Sequence, residues 1–333
     1  MKSIYNSFPL SLKVVNFVIT NYCNARCRMC ANDSDNDPKK TEEIDPQILN
    51  KFLSEKPKTL YIEGINISGG EPFYNFLLLS QIVKLSNEYV DNVIVLSNCF
   101  WAKNTIAAKN KLNLLKSSGL TRLTISSDFY HSEFVPFSFV DNAIIAANEL
   151  NIRCNLNCVQ RYGKKDLDNV CRSLQYSSLL DHKDSFPCTP IGRGKNENAF
   201  QIQNLPKSRC KLILSSLAIK PNGNVYACCG VGGFTDPLCL GNASSININD
   251  AFQSALSDPM IIALAIHGPA YFLSLDTRLQ KLENEKFTGI CHLCNTILND
   301  HFYSKIVKDN IDSQRSNLLA IYDTISDFGK VLR

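Results

Sequence analysis

The chain has 333 residues, of which 44% are hydrophobic and 20% charged, a composition that supports one large globular domain or one with a smaller second domain. Its net charge of +4 is not concentrated in any block of lysine or arginine, so charge gives no reason to expect a nucleic acid or a membrane surface as partner. The first residues lack the apolar core of a signal peptide and no later stretch has 18 apolar residues in succession, and we therefore expect a cytoplasmic protein.

Short β-branched stretches alternate with helical stretches from about residue 14 to residue 195. The predicted strands are VVNFVIT, LYIEGINIS, NVIVLS, LTRLTIS and NIRCNLNCV, and PCTPI after a helix near residues 165–177 completes six strand–helix units. This alternation indicates a parallel sheet with right-handed crossovers. Six units are two fewer than a closed eight-stranded barrel has, so the pattern predicts an α/β fold, a partial (β/α)6 TIM barrel with reactive groups at the C-terminal ends of its strands.

The remaining chain follows a different pattern. Proline and glycine between residues 187 and 206 break the alternation and predict a linker. The stretch LAIKPNGNVYACC predicts a hairpin that turns at Asn222-Gly223, and residues 245–333 are mostly helical in pattern. We therefore divide the chain into a barrel at 1–195, a linker at 196–209, a cysteine-bearing extension at 210–300 and a helical segment at 301–333.

Fourteen cysteines in a cytosolic chain of this length favour metal binding over disulfides. Cys23, Cys27 and Cys30 follow directly on the first predicted strand, on a loop tight enough for three thiolates to reach one iron–sulfur cluster. Only three ligands are supplied, which leaves a fourth iron open to chelate a small molecule. A structural zinc site or a chance spacing is the alternative.

The second predicted strand ends in the turn Ser68-Gly69-Gly70-Glu71-Pro72. Glycines allow the backbone to approach a ligand closely, and a glutamate can accept a hydrogen bond from an ammonium group. Together with the cysteine loop, this turn resembles the radical S-adenosylmethionine (SAM) superfamily, and the resemblance covers the whole six-unit region.

In that family the open iron of a [4Fe–4S] cluster takes the amino and carboxylate groups of SAM, and the Gly-Gly-Glu turn contacts the methionyl amine. The resemblance therefore implies SAM contacts at Ser68, Gly69, Gly70 and Glu71. Polar residues after later strands commonly contact the ribose and carboxylate in the family, and the candidates here are Ser97, Asn98, Ser126 and Asp128. The residue before the third cysteine is usually aromatic; here it is Met29, whose backbone can still contact the adenine.

A second cysteine set lies downstream. Cys210 is followed after twelve residues by Gly223 and after four more by Cys228, and Cys291 and Cys294 form a CxxC pair. This spacing resembles the SPASM and twitch extensions of radical SAM enzymes, in which a hairpin brings two thiolates to an auxiliary cluster. Two pairs of ligands imply the shorter twitch form, with one auxiliary [4Fe–4S] cluster in the extension at 210–300. A four-cysteine zinc knuckle is the alternative.

Four stretches resemble a narrower group, the twitch-containing radical SAM epimerases that act on ribosomally synthesised peptides. These stretches are residues 97–101, residues 128–131, the hairpin that ends in Cys228-Cys229, and residues 290–294. In that group the second cysteine of the Cys-Cys pair donates a hydrogen atom, which implies this catalytic role for Cys229. An inert neighbour of Cys228, or a ligand in its place, is the alternative for Cys229.

The resemblance implies an enzyme that converts L- to D-residues in a precursor peptide, with SAM, two [4Fe–4S] clusters and an electron donor such as flavodoxin or ferredoxin. About a dozen residues precede the first strand, so we expect no fused N-terminal peptide-recognition domain. Peptide crosslinking through a thioether or carbon–carbon bond, and a non-catalytic zinc protein, remain the alternatives. His131 and Arg193 stay open between a contact with SAM or peptide and an ordinary structural role.

Overall fold

The computed structural model describes residues 12–58, 60–197 and 204–331. Part of the predicted linker, residues 198–203, therefore lies outside the described residues. None of the helices within these ranges is long and apolar enough to cross a membrane.

One sheet of nine strands runs through the described residues. Its strands are β1 (Val14–Val18), β2 (Gly64–Ser68), β3 (Val93–Ser97), β4 (Leu120–Ser126), β5 (Arg153–Gln160), β6 (His182–Pro187), β7 (Ser216–Ile219), β8 (Asn224–Tyr226) and β9 (Cys239–Asn242). Their order across the sheet is β6-β5-β4-β3-β2-β1-β7-β8-β9. Strands β1 to β6 are parallel and each lies beside the next in the chain, which confirms the predicted α/β fold with the strand order of a partial barrel.

The sixth strand lies earlier in the chain than the sequence pattern predicted. It covers His182–Pro187, whereas the prediction was PCTPI at residues 187–191. Strand β6 stands at the edge of the sheet and five of its six side chains are exposed. Because little of it is buried, it needs no apolar run, and an apolar pattern was the signal used to find strands.

Eleven α-helices lie in the described residues. They are α1 (Pro46–Ser54), α2 (Phe76–Asn87), α3 (Thr105–Ser117), α4 (Phe137–Glu149), α5 (Asp166–Ser173), α6 (Ile248–Ser257), α7 (Pro259–Ile266), α8 (Thr277–Gln280), α9 (Ile290–Leu298), α10 (His301–Ile311) and α11 (Arg315–Val331). The side chains of Asp45, Asn75 and Asn104 accept hydrogen bonds from the first turns of α1, α2 and α3. Each cap satisfies an N–H group that the first turn leaves free.

Helices α1 to α5 and the parallel strands share one hydrophobic core. In β2, for example, Ile65 and Ile67 are fully buried in that core, whereas Asn66 between them is only partly buried. Side chains alternate between the two faces of a strand, so Asn66 faces the side of the sheet away from the helices. Its side chain donates to Asn16 Oδ1 of β1 at 2.9 Å. This second face therefore carries polar groups.

The sheet continues from the predicted barrel into the predicted extension. Strand β7 pairs in parallel with β1, with Ser216 beside Val14, and β8 and β9 follow as antiparallel strands. The predicted hairpin between β7 and β8 is confirmed, and Gly223 takes a φ of +83° at its turn, a conformation that costs glycine little. Helices α7, α9, α10 and α11 pack in a second core. The division into a barrel and an extension stays a prediction, since one sheet spans both.

Candidate functional site

A cavity of about 310 Å³ opens at the C-terminal ends of β1 to β4, a volume within the range of small-molecule sites. All the residues predicted to bind the first cluster or SAM line it except Asp128: Cys23, Cys27, Met29, Cys30, Ser68, Gly69, Gly70, Glu71, Ser97, Asn98 and Ser126. Cys229, the predicted hydrogen-atom donor, lines the same cavity. The structure thus brings together residues that are more than two hundred positions apart in the sequence.

The Gly-Gly-Glu turn packs directly on the cysteine loop. Gly70 N donates to Thr20 O at 2.7 Å, and Glu71 N donates to Tyr22 O at 2.8 Å. A Cβ atom on Gly70 would overlap the Tyr22 carbonyl, and one on Gly69 would lie 2.6 Å from Thr20 O. Both glycines thus approach the backbone that leads into Cys23 and help to position the three-cysteine loop. They also line the cavity, and their predicted contact with SAM stays a prediction.

Two of the three thiols of the cysteine loop, those of Cys23 and Cys27, are buried. Burial raises the pKa of Cys23 to about 12 and the pKa of Cys27 further still. A metal stabilises thiolates that burial otherwise disfavours. Within the described ranges no three His, Cys, Asp or Glu side chains come close enough to hold a single metal ion. Two buried thiols and the partly exposed thiol of Cys30 line one open cavity, an arrangement that fits a cluster with one iron left for a small molecule.

Glu71 is fully buried and ties the ends of two strands together. Its Oε1 accepts from Phe73 N at 3.1 Å and from Ser97 Oγ at 2.8 Å, and its Oε2 accepts from Asn98 N at 2.7 Å. Burial raises the pKa of Glu71 to about 7, against the opposing effect of these hydrogen bonds. The carboxylate predicted to accept from the SAM ammonium group thus already has three protein donors, and that contact stays a prediction.

Ser97 and Asn98 connect the end of β3 to the cysteine loop. Asn98 Nδ2 donates to Asn24 Oδ1 at 3.0 Å and lies 3.9 Å from Cys23 Sγ. The turn that follows holds Cys99 at a φ of +68°, a conformation that costs an L-residue roughly 1–2 kcal/mol. Trp101 Nε1 donates to Ser97 Oγ at 2.8 Å and so fixes the hydroxyl that in turn donates to Glu71.

Asp128 is fully buried behind His131 and does not line the cavity. Its carboxylate accepts from Tyr130 N, His131 N and Val159 N at 2.9 to 3.1 Å and contacts His131 Nδ1 at 2.8 Å. Burial lowers the pKa of His131, but the Asp128 carboxylate outweighs this and the net shift is upward. His131 lines the cavity. Asp128 therefore positions His131, and its predicted contact with SAM stays a prediction.

Arg193, which the sequence left open between a contact with SAM or peptide and a structural role, also lines the cavity. It lies in the 3-10 helix Gly192–Asn196, where Arg193 N donates to Cys30 O and Arg193 Nε donates to Cys27 O, both at 3.0 Å. Its Nη2 is buried and has no hydrogen-bond partner. The sequence signal for Arg193 was an arginine flanked by glycines just after a predicted barrel strand. A free guanidinium nitrogen beside the three-cysteine loop can bind a carboxylate.

The four cysteines predicted to hold the auxiliary cluster line a second cavity. Cys210, Cys228, Cys291 and Cys294 all face it, and its volume is about 20 Å³. A hydrogen bond from Cys228 lowers the pKa of Cys210 to about 6. A Cβ on Gly230 would lie 3.4 and 3.5 Å from the Sγ atoms of Cys228 and Cys291, so these two thiols converge. The volume is that of about one water molecule, and the thiols must turn apart to admit a cluster. The second cluster stays a prediction.

Comparison with known proteins gives matches over different parts of the chain. Residues 13–135 match a family described as a 4Fe-4S single cluster domain. The chain is 23% identical over 311 residues to the putative peptide biosynthesis protein YydG of Bacillus subtilis (strain 168), which covers 89% of this chain and 97% of that protein. It is 27% identical over 165 residues to GTP 3',8-cyclase of Aquifex aeolicus (strain VF5), covering 46% of this chain and 50% of that one.

A solved structure is similar over part of the chain. The crystal structure of HydG, a maturase of the [FeFe]-hydrogenase, matches 60% of this chain and 49% of its own, with 13% identity and a TM-score of 0.41. The fold assignment rests on the strand order and not on this likeness. The matched region at 13–135 contains the three-cysteine loop and the turn that positions it. The match to the 4Fe-4S family and the three-cysteine loop within the matched region support the resemblance of this part of the chain to the radical SAM superfamily.

Proposed function

We propose that the chain is a peptide epimerase that converts one or more L-residues of a ribosomally made precursor peptide into D-residues. A peptide substrate is supported by the similarity to the putative peptide biosynthesis protein of Bacillus subtilis, which extends over 89% of this chain and 97% of that relative. The type of reaction is supported by the position of one thiol, that of Cys229.

When bound, SAM and a reduced cluster at the three-cysteine loop would supply a 5′-deoxyadenosyl radical that takes a hydrogen atom from a Cα of the peptide. The thiol of Cys229 then gives its hydrogen atom to the planar carbon from the opposite face. A C–H bond forms and the S–H bond breaks, which leaves a thiyl radical on Cys229. One electron and one proton, the electron from a donor such as flavodoxin or ferredoxin, restore the thiol.

One observation carries the proposal: Cys229 lines the cavity of the three-cysteine loop, whereas its neighbour Cys228 lines the other cavity. A substrate carbon in the larger cavity would lie within reach of both reacting groups, and such positioning is what an inversion requires. Burial raises the pKa of Cys229, so the side chain is a thiol at neutral pH. A hydrogen-atom donor must carry its S–H hydrogen.

We also propose that Cys210, Cys228, Cys291 and Cys294 hold a second [4Fe–4S] cluster. Four protein ligands leave no iron open, so this cluster would exchange electrons and would not bind SAM. The two pairs come from separate parts of the extension: the CxxC pair lies on α9, and the other pair flanks the β7–β8 hairpin.

The proposal is tested with the anaerobically reconstituted enzyme and the short precursor peptide that we expect to be encoded beside its gene. In deuterated water each inverted residue should gain one deuterium, and chiral amino-acid analysis should identify it as the D-isomer. A product that is lighter by two hydrogens and carries no solvent deuterium would instead identify a crosslinking enzyme. Zinc in place of iron, with no 5′-deoxyadenosine formed under reduction, would identify a non-catalytic zinc protein.

The substitution Cys229→Ala separates the two halves of the reaction. SAM cleavage should continue, and D-residues should fall below detection because the carbon radical has no hydrogen donor on that face. Cys239→Ala, at a thiol outside both cavities, is the matched control and should epimerise like the wild type. D-residues formed by the Cys229→Ala enzyme would show that the donor is another group.

A further inference from the structure

Strand β6 is the edge of the sheet on the barrel side. In the part of the chain that the structure describes, it pairs only with β5, from Asn155 beside His182 to Gln160 beside Pro187. Five of its six side chains are exposed. An edge strand presents free backbone donors and acceptors to any extended chain that reaches it.

Hydrogen bonds of β5 reveal which backbone groups of β6 are free. Asn157 O accepts from the backbone after β4, and Val159 N donates to Asp128 Oδ2, so Asn157 and Val159 direct their backbone groups toward β4. Backbone direction alternates along a strand. Gln160 accordingly faces the other way, and its carbonyl accepts from Cys188 N at 3.1 Å.

Counting back from Cys188 in steps of two gives the residues of β6 whose backbone faces β5: His182, Asp184 and Phe186. The backbone N–H and C=O groups of Lys183 and Ser185 therefore face the free edge. The backbone of Pro187 also faces the free edge. Proline has no N–H group, and at this position its absence costs no hydrogen bond to β5.

A cavity of about 470 Å³ lies beside the C-terminal end of β6. Its lining includes Arg161, Tyr162, Ser185 and Phe186. The side chains of Tyr162 and Phe186 are 63% and 49% exposed. In strand addition the backbone bonds provide affinity, and pockets beside the edge select alternate side chains of the added chain. The cavity supplies such a pocket, with aromatic walls and a cationic side chain.

The C-terminal end of β6 leads directly to the candidate catalytic cavity. Cys188, the next residue, is buried in one cluster with Cys23 and Cys27. Arg193, five residues further on, lines the catalytic cavity itself. An extended chain that follows the edge of β6 to its C-terminal end therefore arrives at the three-cysteine loop.

We propose that an extended segment of the peptide substrate pairs with the free edge of β6 and places alternate side chains in the cavity beside Tyr162 and Phe186. This inference rests on the proposed function and specifies how the peptide is held. The six residues of β6 span about 20 Å at ~3.3 Å per residue. That length holds a segment of about six residues and leaves the following part of the peptide for the catalytic cavity.

The experiment measures binding and turnover separately, with the fluorescein-labelled form of the expected precursor peptide as the probe. Ser185→Pro removes one outward N–H group and leaves the bonds to β5 in place, whereas Ser185→Ala keeps that N–H group. Ser185→Pro should bind the peptide about tenfold more weakly, as expected for a lost hydrogen bond, and Ser185→Ala should bind like the wild type. Slow SAM cleavage without peptide should be equal in all three enzymes. Equal cleavage would show that the fold and the site at the three-cysteine loop are intact.

Backbone N-methylation of the peptide gives a readout that damage to the protein cannot produce. Single N-methyl groups should weaken binding at alternate residues of one segment, because only every second N–H group of a strand faces its partner. Equal affinity of Ser185→Pro and the wild type, or N-methyl effects without alternation, would overturn the docking site. So would a Ser185→Pro enzyme that binds peptide normally but loses a self-association present in the wild type, since β6 would then pair two copies of the chain.

The experiments can reject the docking site and the epimerase function independently of each other. A peptide that binds with alternating N-methyl effects but is released without D-residues would overturn the function and support the docking site. D-residues formed with an unchanged KM by the Ser185→Pro enzyme would support the function and remove the docking site.

Discussion

The two cysteine sets differ in their surroundings more than in their sequence spacing. The thiols of the loop after β1 line a cavity of about 310 Å³ together with polar side chains from β2, β3 and β4. The four thiols of the extension line a cavity of about 20 Å³ whose other walls are leucine, isoleucine, proline and glycine. A site that takes a small molecule needs volume and polar partners, whereas a site that only holds a cluster needs closure. The difference fits the proposal of one centre that takes a small molecule, called the open site below, and one whose four protein ligands leave no iron free, called the closed site.

The wall between the two cavities is the short segment at residues 228–234. Cys229 and Phe234 face the large cavity, whereas Gly232 and Gly233 face the small one. A Cβ on Gly233 would lie 2.8 Å from the Cβ of Cys228, so the glycines let the segment pass close to the small cavity. Adjacent cysteines can therefore serve different sites without competing for one cluster.

The largest expected effect comes from the open site. Cys27→Ala should abolish SAM cleavage and remove roughly four irons per chain, those of one cluster, because two thiols cannot hold a cluster that needs three. The measurements are iron content after anaerobic reconstitution and 5′-deoxyadenosine formed under reduction.

Cys188→Ala is the matched control for this substitution. Cys188 is buried in the same cluster of side chains as Cys27 but does not line the cavity. The Cys188→Ala enzyme should keep its iron and its SAM cleavage. Full iron content in Cys27→Ala would contradict the assignment of the open site.

The closed site should show a smaller effect. Cys294→Ala should also lose roughly four irons per chain, but SAM cleavage should continue because the first site is complete. Cys171→Ala, another helical cysteine outside both cavities, is the control and should retain all of the iron. If Cys294→Ala kept full iron while Cys27→Ala lost all of it, the chain would hold one cluster and the comparison between the sites would fail.

The open site was predictable because its signals are local. The cysteine loop spans eight residues and the glycine turn five, so both lie in short stretches, and the turn was identified through the resemblance that it shares with the cysteine loop. The packing of the glycines was not predictable, since it depends on a contact between Gly70 and the Tyr22 carbonyl, which follow two different strands. Arg193 reaches Cys27 across more than 160 residues of chain. Only the folded sheet brings those parts together.

The parallel strands also include some that the sequence predicts well and one that it does not. The run VIVLS of β3 is apolar because neighbours lie on both sides of it and helices cover one face, and periodicity identifies such a strand. Strand β6 reads HKDSFP and has one neighbour, so its sequence carries no apolar signal. The continuation of the sheet through β7 was also not predictable, because pairing with β1 joins residues about two hundred positions apart.

The smallest effect is expected for a substitution in the Asp128–His131 pair beside the open site. It should change the stability of the protein and not its chemistry. Asp128→Asn leaves His131 without its buried carboxylate, and breaking such a pair should lower the free energy of unfolding by roughly 3 kcal/mol. Glu133→Gln, which removes the exposed ion pair with Arg28, is the control and should cost less than about 1 kcal/mol.

The pH dependence identifies the charges as the cause of that loss. His131 has a pKa raised above its ordinary 6.5, so its stabilisation is complete below pH 6.5 and fades as the pH rises through the folded value. Asp128 has a pKa lowered below its ordinary 3.8, so its stabilisation is complete above pH 3.8 and fades as the pH falls through the folded value. Urea unfolding should therefore give the largest difference between wild type and Asp128→Asn from about pH 4 to 6.5 and a smaller one at about pH 9. A difference that does not change with pH would mean that shape and hydrogen bonding, rather than charge, hold His131 at the cavity wall.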